Sequence, residues 1–142
     1  PPIFPVSAPS TSKFDFDNLQ GKKSFSALGA FGKSKMMNLL FTYALARRIE
    51  GTGVSTSAFH PGLVKSELTN EMPGILRIML SHMSGKPNKA GKMLADLALD
   101  EKYKNSNGTF FKFNGKEIKW NAYSYDKEVQ ERLWEISNNL KS

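Results

Sequence analysis

The sequence contains no cysteine. Disulfide bonds and thiolate metal sites are therefore excluded, and a reducing, cytoplasmic setting is the natural expectation. There is also no apolar run close to the ~20 residues that a transmembrane helix needs. We therefore expect no membrane span.

No short block is dense in lysine and arginine, although the formal net charge is +7. The basic residues are scattered along the chain, and no nucleic-acid-binding motif accompanies them. We interpret the charge as a solvated basic surface and expect no nucleic-acid partner. With 39% apolar and 23% charged residues in 142 positions, the composition is typical of one ordinary globular domain.

The clearest predicted helix runs from about Gly29 to Glu50, because apolar residues recur at helical spacing. These residues form two stripes, so we expect the helix to be covered on two sides. The first stripe is Met36, Leu39, Leu40, Tyr43 and Ala44, and the second is Met37, Phe41, Leu45 and Ile49. Gly51 and Gly53 end the helix, and Val54 to Phe59 follows as a strand. A helix that enters a strand through a short glycine turn is typical of a parallel α/β sheet.

The other elements are predicted by shorter signals. The N-terminal Pro1 to Val6 has the character of a short strand damaged by prolines. The remaining predictions are a helical turn near Phe16–Gln20, an apolar helix between Pro73–Gly74 and Met83, a helix from about Pro87 with Ala90, Met93, Leu94, Leu97 and Ala98 facing inward, a strand at Thr109–Phe113, a tight turn at Asn114–Gly115, and a last helix capped by Asp126.

Two motifs stand in order on this framework. The helix opens with Phe31-x-x-x-Lys35-x-x-Asn38, and the following strand ends in His60-Pro61-Gly62. Together with Leu39–Arg48, Gly51–Val54 and Arg132–Ser137, they resemble the short-chain dehydrogenase/reductase family, and more closely its retinol-dehydrogenase-like branch. The resemblance implies that residues 1–142 are the C-terminal half of an α/β, doubly wound parallel-sheet (Rossmann-type) domain.

The resemblance also implies roles for individual residues. Lys35 would bind the nicotinamide ribose, and Pro61 and Gly62 would let the main chain approach the nicotinamide. Val64 would meet the carboxamide through its main chain, and Ser66 takes the usual threonine position. The implied cofactor is NADP or NAD, and the implied substrate is a small-molecule alcohol or carbonyl compound. An apolar substrate is expected, because the Met72–Met83 segment lies where the family places its substrate lid.

The chain departs from the family pattern in three ways. The helix has Phe31 where the family has its proton-donating tyrosine, and Phe cannot transfer a proton. Ala8 aligns with the catalytic serine, with Ser10 and Ser12 as alternative counterparts. No Gly-x-Gly-x-x-Gly phosphate loop occurs. We therefore expect a fragment that lacks the N-terminal, glycine-rich half, of roughly 100–150 residues, and that leaves the inner strand with an unpaired edge.

Simpler interpretations remain beside these. Lys35 could be a solvated helix residue, and His60 either titrates near neutrality or serves in packing. Trp120, Tyr123 and Tyr125 are expected to pack together, with a substrate pocket as the alternative. The carboxylates do not suggest a metal site.

Three hypotheses follow for function. The first is an NAD(P)-dependent oxidoreductase whose activity is impaired by the substitutions at positions 31 and 8, whether these are natural or engineered. The second is a catalytically silent family member that binds a cofactor or a partner. The third is a structural role in which the helix from Met36 to Ile49 forms a homodimer face.

Overall fold

The structure is a computed structural model that describes residues 1–62 and 87–140. Three strands and three α-helices alternate along this part of the chain. In order they are β1 (Pro2–Ile3), α1 (Ala27–Arg48), β2 (Ser55–His60), α2 (Pro87–Leu99), β3 (Thr109–Lys112) and α3 (Lys127–Asn139), with short 3-10 turns at Phe16–Asn18, Glu101–Tyr103 and Ala122–Tyr125.

The strands form one parallel sheet in the order β1-β2-β3. Ile3 pairs with Thr56, and the same register returns as a bridge between Val6 and Phe59. Pro5 lies between these two contacts and has no N–H to donate to β2, so the ladder is interrupted there. The prediction of a strand damaged by proline is therefore confirmed.

Helices cover both faces of the sheet. On one face, Ala58 and Phe110 pack against Leu39 and Tyr43 of α1. On the other face, Phe59 and Phe111 pack against Leu97 of α2. They directly follow Ala58 and Phe110 along the strands. Side chains of alternate parity thus fill two separate layers, which explains why β2 is buried along most of its length. The predicted α/β architecture is confirmed.

The first predicted stripe of α1 divides between two partners: Leu39 and Tyr43 face the sheet, and its other large residues pack against α3. The second predicted stripe is less buried than expected, since Phe41 is 40% exposed. In the contact with α3, Met36 and Leu40 are fully buried against Leu133. Charged side chains close the solvent side of this contact, since Arg47 and Arg48 both bond the carboxylate of Glu131. The prediction that α1 is covered on two sides is therefore confirmed.

Aromatic stacking extends the contact between α1 and α3. The ring of Trp134 stacks on Phe41 with 5.5 Å between ring centres, and the Arg48 guanidinium lies 4.1 Å from the Trp134 ring centre. A guanidinium over an indole is a favourable cation–π arrangement. Trp134 is therefore held between the two helices.

The capping and turn predictions are confirmed. The Asp126 carboxylate accepts hydrogen bonds from the backbone N–H groups of Glu128 and Val129 at the start of α3. The Asn114–Gly115 turn is closed by the Gly115 N–H, which donates to the Lys112 carbonyl at 2.9 Å, with Gly115 at a φ of +74°. Glycine accepts this backbone conformation at no steric cost.

Some predictions need correction or lie elsewhere. Ala98, expected on the inner face of α2, is exposed, because the buried stripe of α2 is narrow and turns away after Leu97. The proposed dimer face includes Leu40 and Tyr43, which are buried inside the protomer. The dimer itself stays a prediction. The predicted helix before Met83 lies outside the described residues.

Candidate active site at the carboxyl edge of the sheet

The carboxyl edge of the sheet brings together the chemically interesting residues. The chain leaves β1 and its bridge at Ser7, and it leaves β2 at His60, followed directly by Pro61 and Gly62. The Ser7 N–H donates to the Phe59 carbonyl at 2.8 Å, which ties the ends of the two strands together. In parallel α/β proteins this edge is where ligands bind.

Helix α1 starts beside this edge. The hydroxyl of Ser26 caps it by accepting a hydrogen bond from the Gly29 N–H at 3.0 Å. Phe31 and Lys35 follow one turn apart, so they lie on the same side of the helix. The Lys35 ammonium lies 5.4 Å from the centre of the Phe31 ring. The motif predicted from the sequence is thus assembled as one unit on the surface of α1.

The surroundings of Lys35 leave its charge available. Within residues 1–62 and 87–140, no carboxylate lies within ion-pair distance of the Lys35 ammonium. Its cation faces the ring of Phe31, which is itself 51% exposed. An ammonium with three donors and no carboxylate partner suits the hydroxyl groups of a ribose.

Two hydrogen bonds join the end of β1 to α1. The buried hydroxyl of Ser7 donates to the main-chain oxygen of Lys35 at 2.7 Å. In the opposite direction, the side-chain amide of Asn38 donates to the Val6 carbonyl at 2.8 Å. Both contacts span about thirty residues of sequence, so they fix the helix against the sheet.

The loop after Ser7 lies against the first turns of α1. A Cβ placed on Gly32 would be 2.6 Å from the Ser12 hydroxyl and 3.3 Å from that of Ser10. These two hydroxyls therefore touch the helix directly after Phe31. Ala8 is half-buried between this loop and the strand end. The structure thus brings both alternative serines to the Phe31 turn.

Trp120 holds the same loop from the other side. Its indole N–H donates to the main-chain oxygen of Ser10, and Asn121 donates to the same oxygen. Tyr123 accepts the N–H of Phe14, while Tyr125 stacks on Tyr43 with ring centres 5.0 Å apart. The late aromatic residues serve packing, as expected.

The Pro61–Gly62 turn has a steric reason for its glycine. Gly62 has a φ of +76°, and a Cβ there would lie 3.2 Å from the ring of Phe113. Any other residue would strain the backbone and press on that ring. Val64 and Ser66, the other predicted cofactor residues, lie outside the described residues.

His60 ends β2 opposite Lys112 of β3. Burial lowers the pKa of His60 from its ordinary value; the backbone of Ser7 partly opposes this shift, and the nearby Lys112 charge adds to it. Its Nδ1 is buried without a hydrogen-bond partner among the residues that the structure describes. A neutral ring is therefore favoured at neutral pH, which agrees with a packing residue.

Two grooves lie near the described elements. One of about 320 Å³ follows the first turns of α1 and is lined by residues such as Phe25, Lys33 and Met37, on the face next to that of Phe31. Another of about 620 Å³ lies at the opposite edge of the sheet, between Val54 and Leu97. The second groove contains none of the site residues predicted from the sequence.

Sequence reasoning did not assign a role to Ser7. Its contact with Lys35 depends on how α1 packs on β1, which no local pattern specifies. The available signal was its position, since a small polar residue directly after a strand in a parallel sheet lies at the ligand-binding edge.

Neither residues 1–62 nor 87–140 contain a helix that combines the length and hydropathy for crossing a membrane. In the same ranges, no group of three or more histidine and carboxylate side chains is arranged to hold a metal ion.

Comparison with known proteins identifies relatives of the sequence. Retinol dehydrogenase 12 of Mus musculus is 35% identical over 130 residues, which are 90% of this chain and 41% of that protein. Retinol dehydrogenase 11 of Homo sapiens is 34% identical over 132 residues, with the same two shares. The chain therefore spans about two fifths of the length of these relatives. No family model matches it.

Solved structures share the fold. A crystal structure of an uncharacterized protein from Mycobacterium paratuberculosis superposes with a TM-score of 0.61 at 21% identity, over 98% of this chain and 49% of that one. The NADPH-bound carbonyl reductase from chicken fatty liver gives a TM-score of 0.52 at 21% identity, over 84% and 42%. At these identities the two structures are evidence for the fold alone, and they support the predicted Rossmann-type arrangement.

The ordered motifs, the parallel α/β fold and the sequence relatives agree. Over the part that is present, the chain is a homologue of the retinol dehydrogenases of the short-chain dehydrogenase/reductase family.

Proposed function

We propose that this chain is the catalytic-helix part of an NAD(P)-dependent oxidoreductase domain for alcohols and carbonyl compounds, and that its activity is strongly impaired. The observation that carries the proposal is a pair of residues on α1. The Lys35 ammonium, which has no carboxylate partner in the described part of the chain, lies over the ring of Phe31, which has no hydroxyl. The binding half of the motif is present and the proton-transferring half is missing.

The residues at the sheet edge fit a nicotinamide cofactor. Lys35 would bind the ribose through its ammonium, and Gly62, whose φ of +76° favours glycine, leaves the main chain at this turn without a side chain. Val64 and Ser66 remain proposed contacts. When bound, NADP or NAD supplies or accepts the hydride. One solved structure with the same fold is a carbonyl reductase with bound NADPH, so NADPH is the cofactor to test first.

The proton is the limiting part of the reaction. Reduction of a carbonyl group requires a proton on the oxygen, and Phe31 has none to give. Losing a general acid typically costs on the order of 10²–10⁴ in rate. The hydroxyls of Ser10 and Ser12 adjoin the Phe31 turn. They would orient the substrate oxygen in place of the serine hydroxyl that is missing at Ala8.

The rest of the domain is also part of the proposal. Since the chain spans about two fifths of its relatives' length, we place the glycine-rich phosphate-binding half in residues of a longer protein that precede Pro1. Among the described strands, β1 lies at one edge of the sheet, and this edge is the side on which further parallel strands would join. A bulky, apolar alcohol or carbonyl compound is the proposed substrate, since the relatives are named for retinol.

The deciding experiment restores the hydroxyl. In the complete protein, Phe31→Tyr alone and with Ala8→Ser is assayed for reduction of an apolar aldehyde, all-trans-retinal, with NADPH and with NADH. We expect at least a 100-fold gain in kcat/KM over the unmodified protein. Phe31→Leu is the matched control, because it changes the same side chain without adding a hydroxyl. No gain with tyrosine would contradict the proposal.

A second candidate is a catalytically silent binding protein. The loss of hydroxyls at both position 31 and position 8, beside an intact Lys35, favours it. This candidate requires that the complete protein binds NADPH, that Lys35→Met weakens the affinity at least tenfold, and that Phe31→Tyr leaves turnover at background. Absence of any affinity for either cofactor would contradict both candidates.

A further inference from the structure

The end of β1 and the middle of α1 exchange two hydrogen bonds of opposite direction. Ser7 on the strand donates to the Lys35 carbonyl on the helix, and Asn38 on the helix donates to the Val6 carbonyl on the strand. Lys35 and Asn38 are three residues apart, so both contacts lie on one face of α1. Together they fix the helix against sliding and against rotation.

The strand end of this arrangement is itself rigid. The N–H of Ser7 is bonded to the Phe59 carbonyl at 2.8 Å, and the Ser7 side chain is 1% exposed. The Ser7 hydroxyl is therefore anchored to the central strand. Through this hydroxyl, the main chain of Lys35 is held at a fixed position relative to the sheet edge as well as within its own helix.

The position of Lys35 matters because its side chain leaves the helix at this point. An ammonium that must meet a ligand at the carboxyl edge tolerates displacements of only about 0.5 Å before its hydrogen bonds suffer. Phe31 moves with Lys35, since both belong to the same helical turn. A shift of α1 along β1 would thus displace the whole motif.

We propose that Ser7 and Asn38 are positioning residues that set the height of Lys35 above the carboxyl edge of the sheet. The geometric part of this inference stands on the structure, and its consequence for nicotinamide binding rests on the function proposed above. Neither residue is required to contact the cofactor or the substrate.

The first test measures the geometry of this 142-residue chain. Crystal structures of Ser7→Ala and of the unmodified protein are superposed on β2 and β3, and the displacement of the Lys35 Cα is read. We expect a shift of at least about 0.5 Å, and its reversal in Ser7→Thr, which keeps the hydroxyl. If Ser7→Ala does not fold, Asn38→Leu supplies the same measurement.

A matched control separates positioning from simple loss of a buried hydroxyl. Thr42 is fully buried in α1, and its hydroxyl donates to the Asn38 carbonyl of the same helix at 2.7 Å. Thr42→Val removes such a bond without touching β1, so Lys35 should keep its place. An unchanged Lys35 in Ser7→Ala, or an equal shift in Thr42→Val, would overturn the inference.

The second test connects the geometry to binding. The dissociation constant for NADPH is measured in the complete protein for Ser7→Ala, Lys35→Met and the double variant. If Ser7 acts through Lys35, the expected several-fold weakening by Ser7→Ala disappears in the Lys35→Met background. A weakening that persists there would overturn the positioning role. If the unmodified protein binds no cofactor, the proposed function fails, while the displacement test still decides the geometry.

Discussion

The ammonium nitrogen of Lys35 lies 5.4 Å from the centre of the Phe31 ring, one turn along the same helix. A cation and a ring in this arrangement attract each other modestly, by roughly 0.5–1 kcal/mol at exposed sites. The contact therefore keeps Lys35 in place without consuming its hydrogen-bond donors. A hydroxyl group added to that ring would therefore lie near the positive charge of Lys35.

Phe31→Tyr should create a phenol with a lowered pKa in this chain itself. The nearby Lys35 charge stabilises the phenolate, so we expect a pKa roughly 1 unit below that of an unperturbed tyrosine. NMR titration of tyrosine labelled with ¹³C at Cζ measures it, with the new signal identified by comparison with the unmodified chain. In a Phe31→Tyr, Lys35→Gln variant the depression should vanish. An unshifted pKa in the single variant would show that the Lys35 charge does not stay close to the ring.

Glu131→Gln should weaken the contact between α1 and α3. Hydrogen bonds from Arg48 and Arg47 lower the pKa of Glu131 to about 2. A depressed carboxyl pKa stabilises the fold above the unfolded value of about 4.5, and this contribution fades as the pH falls toward 2. Because the group is exposed to solvent, we expect a loss below about 1 kcal/mol at pH 7.

Urea unfolding of Glu131→Gln at pH 7 and at pH 3 measures this difference in the free energy of unfolding. The matched control is Glu135→Gln, one turn further along α3 and exposed. The difference from the unmodified chain should shrink at low pH and in high salt. Equal effects of the two substitutions would rule out a specific role for the arginine pair.

Two glycines in helices should respond differently to alanine. Within residues 1–62 and 87–140, nothing lies within 4 Å of a Cβ on Gly91 of α2. Gly91→Ala should therefore raise the free energy of unfolding by about 0.5–1 kcal/mol through helix propensity. Gly32→Ala would instead bring a methyl group 2.6 Å from the Ser12 hydroxyl. Its gain should appear only together with Ser12→Ala. Thermal unfolding of the three variants checks this, and a full gain from Gly32→Ala alone would contradict the observed contact.

His60 should titrate below the ordinary value for histidine. Burial is the main cause of its lowered pKa. For a base with a lowered folded-state pKa, stability is full above about 6.5 and falls as the pH drops through the folded value. NMR titration of the two histidines measures the pKa, with His60→Gln assigning the signals. A pKa at or above 6.5 would mean that the ring is hydrated.

Much of the architecture follows from local patterns in the sequence. The span of α1 and the strand up to His60 depend on residues close in sequence, and each prediction lies within about two residues of the observed bounds. The Asp126 cap is also local and is observed as predicted. The narrow buried stripe of α2 was predicted too wide, because exposure at Ala98 depends on where the next turn leads the chain.

The candidate site was predictable only in part. The motif around Lys35 and the Pro61–Gly62 turn were recognised as ordered sequence signals. The bond from Ser7 to Lys35 and the contact of Ser12 with Gly32 join residues that are 28 and 20 positions apart. Such contacts depend on the angle at which a helix lies on a sheet, and no single-sequence pattern reports that angle.

The two tryptophans of the chain lie in different surroundings, so their fluorescence can report on two parts of the structure separately. The indole of Trp120 is bonded to the loop beside Phe31, whereas that of Trp134 lies between Phe41 and the Arg48 guanidinium. Emission from a chain that keeps only Trp120 would follow opening of the candidate site. Emission from one that keeps only Trp134 would follow separation of the two helices, so a ligand that orders the site without tightening the helices would change one signal and leave the other.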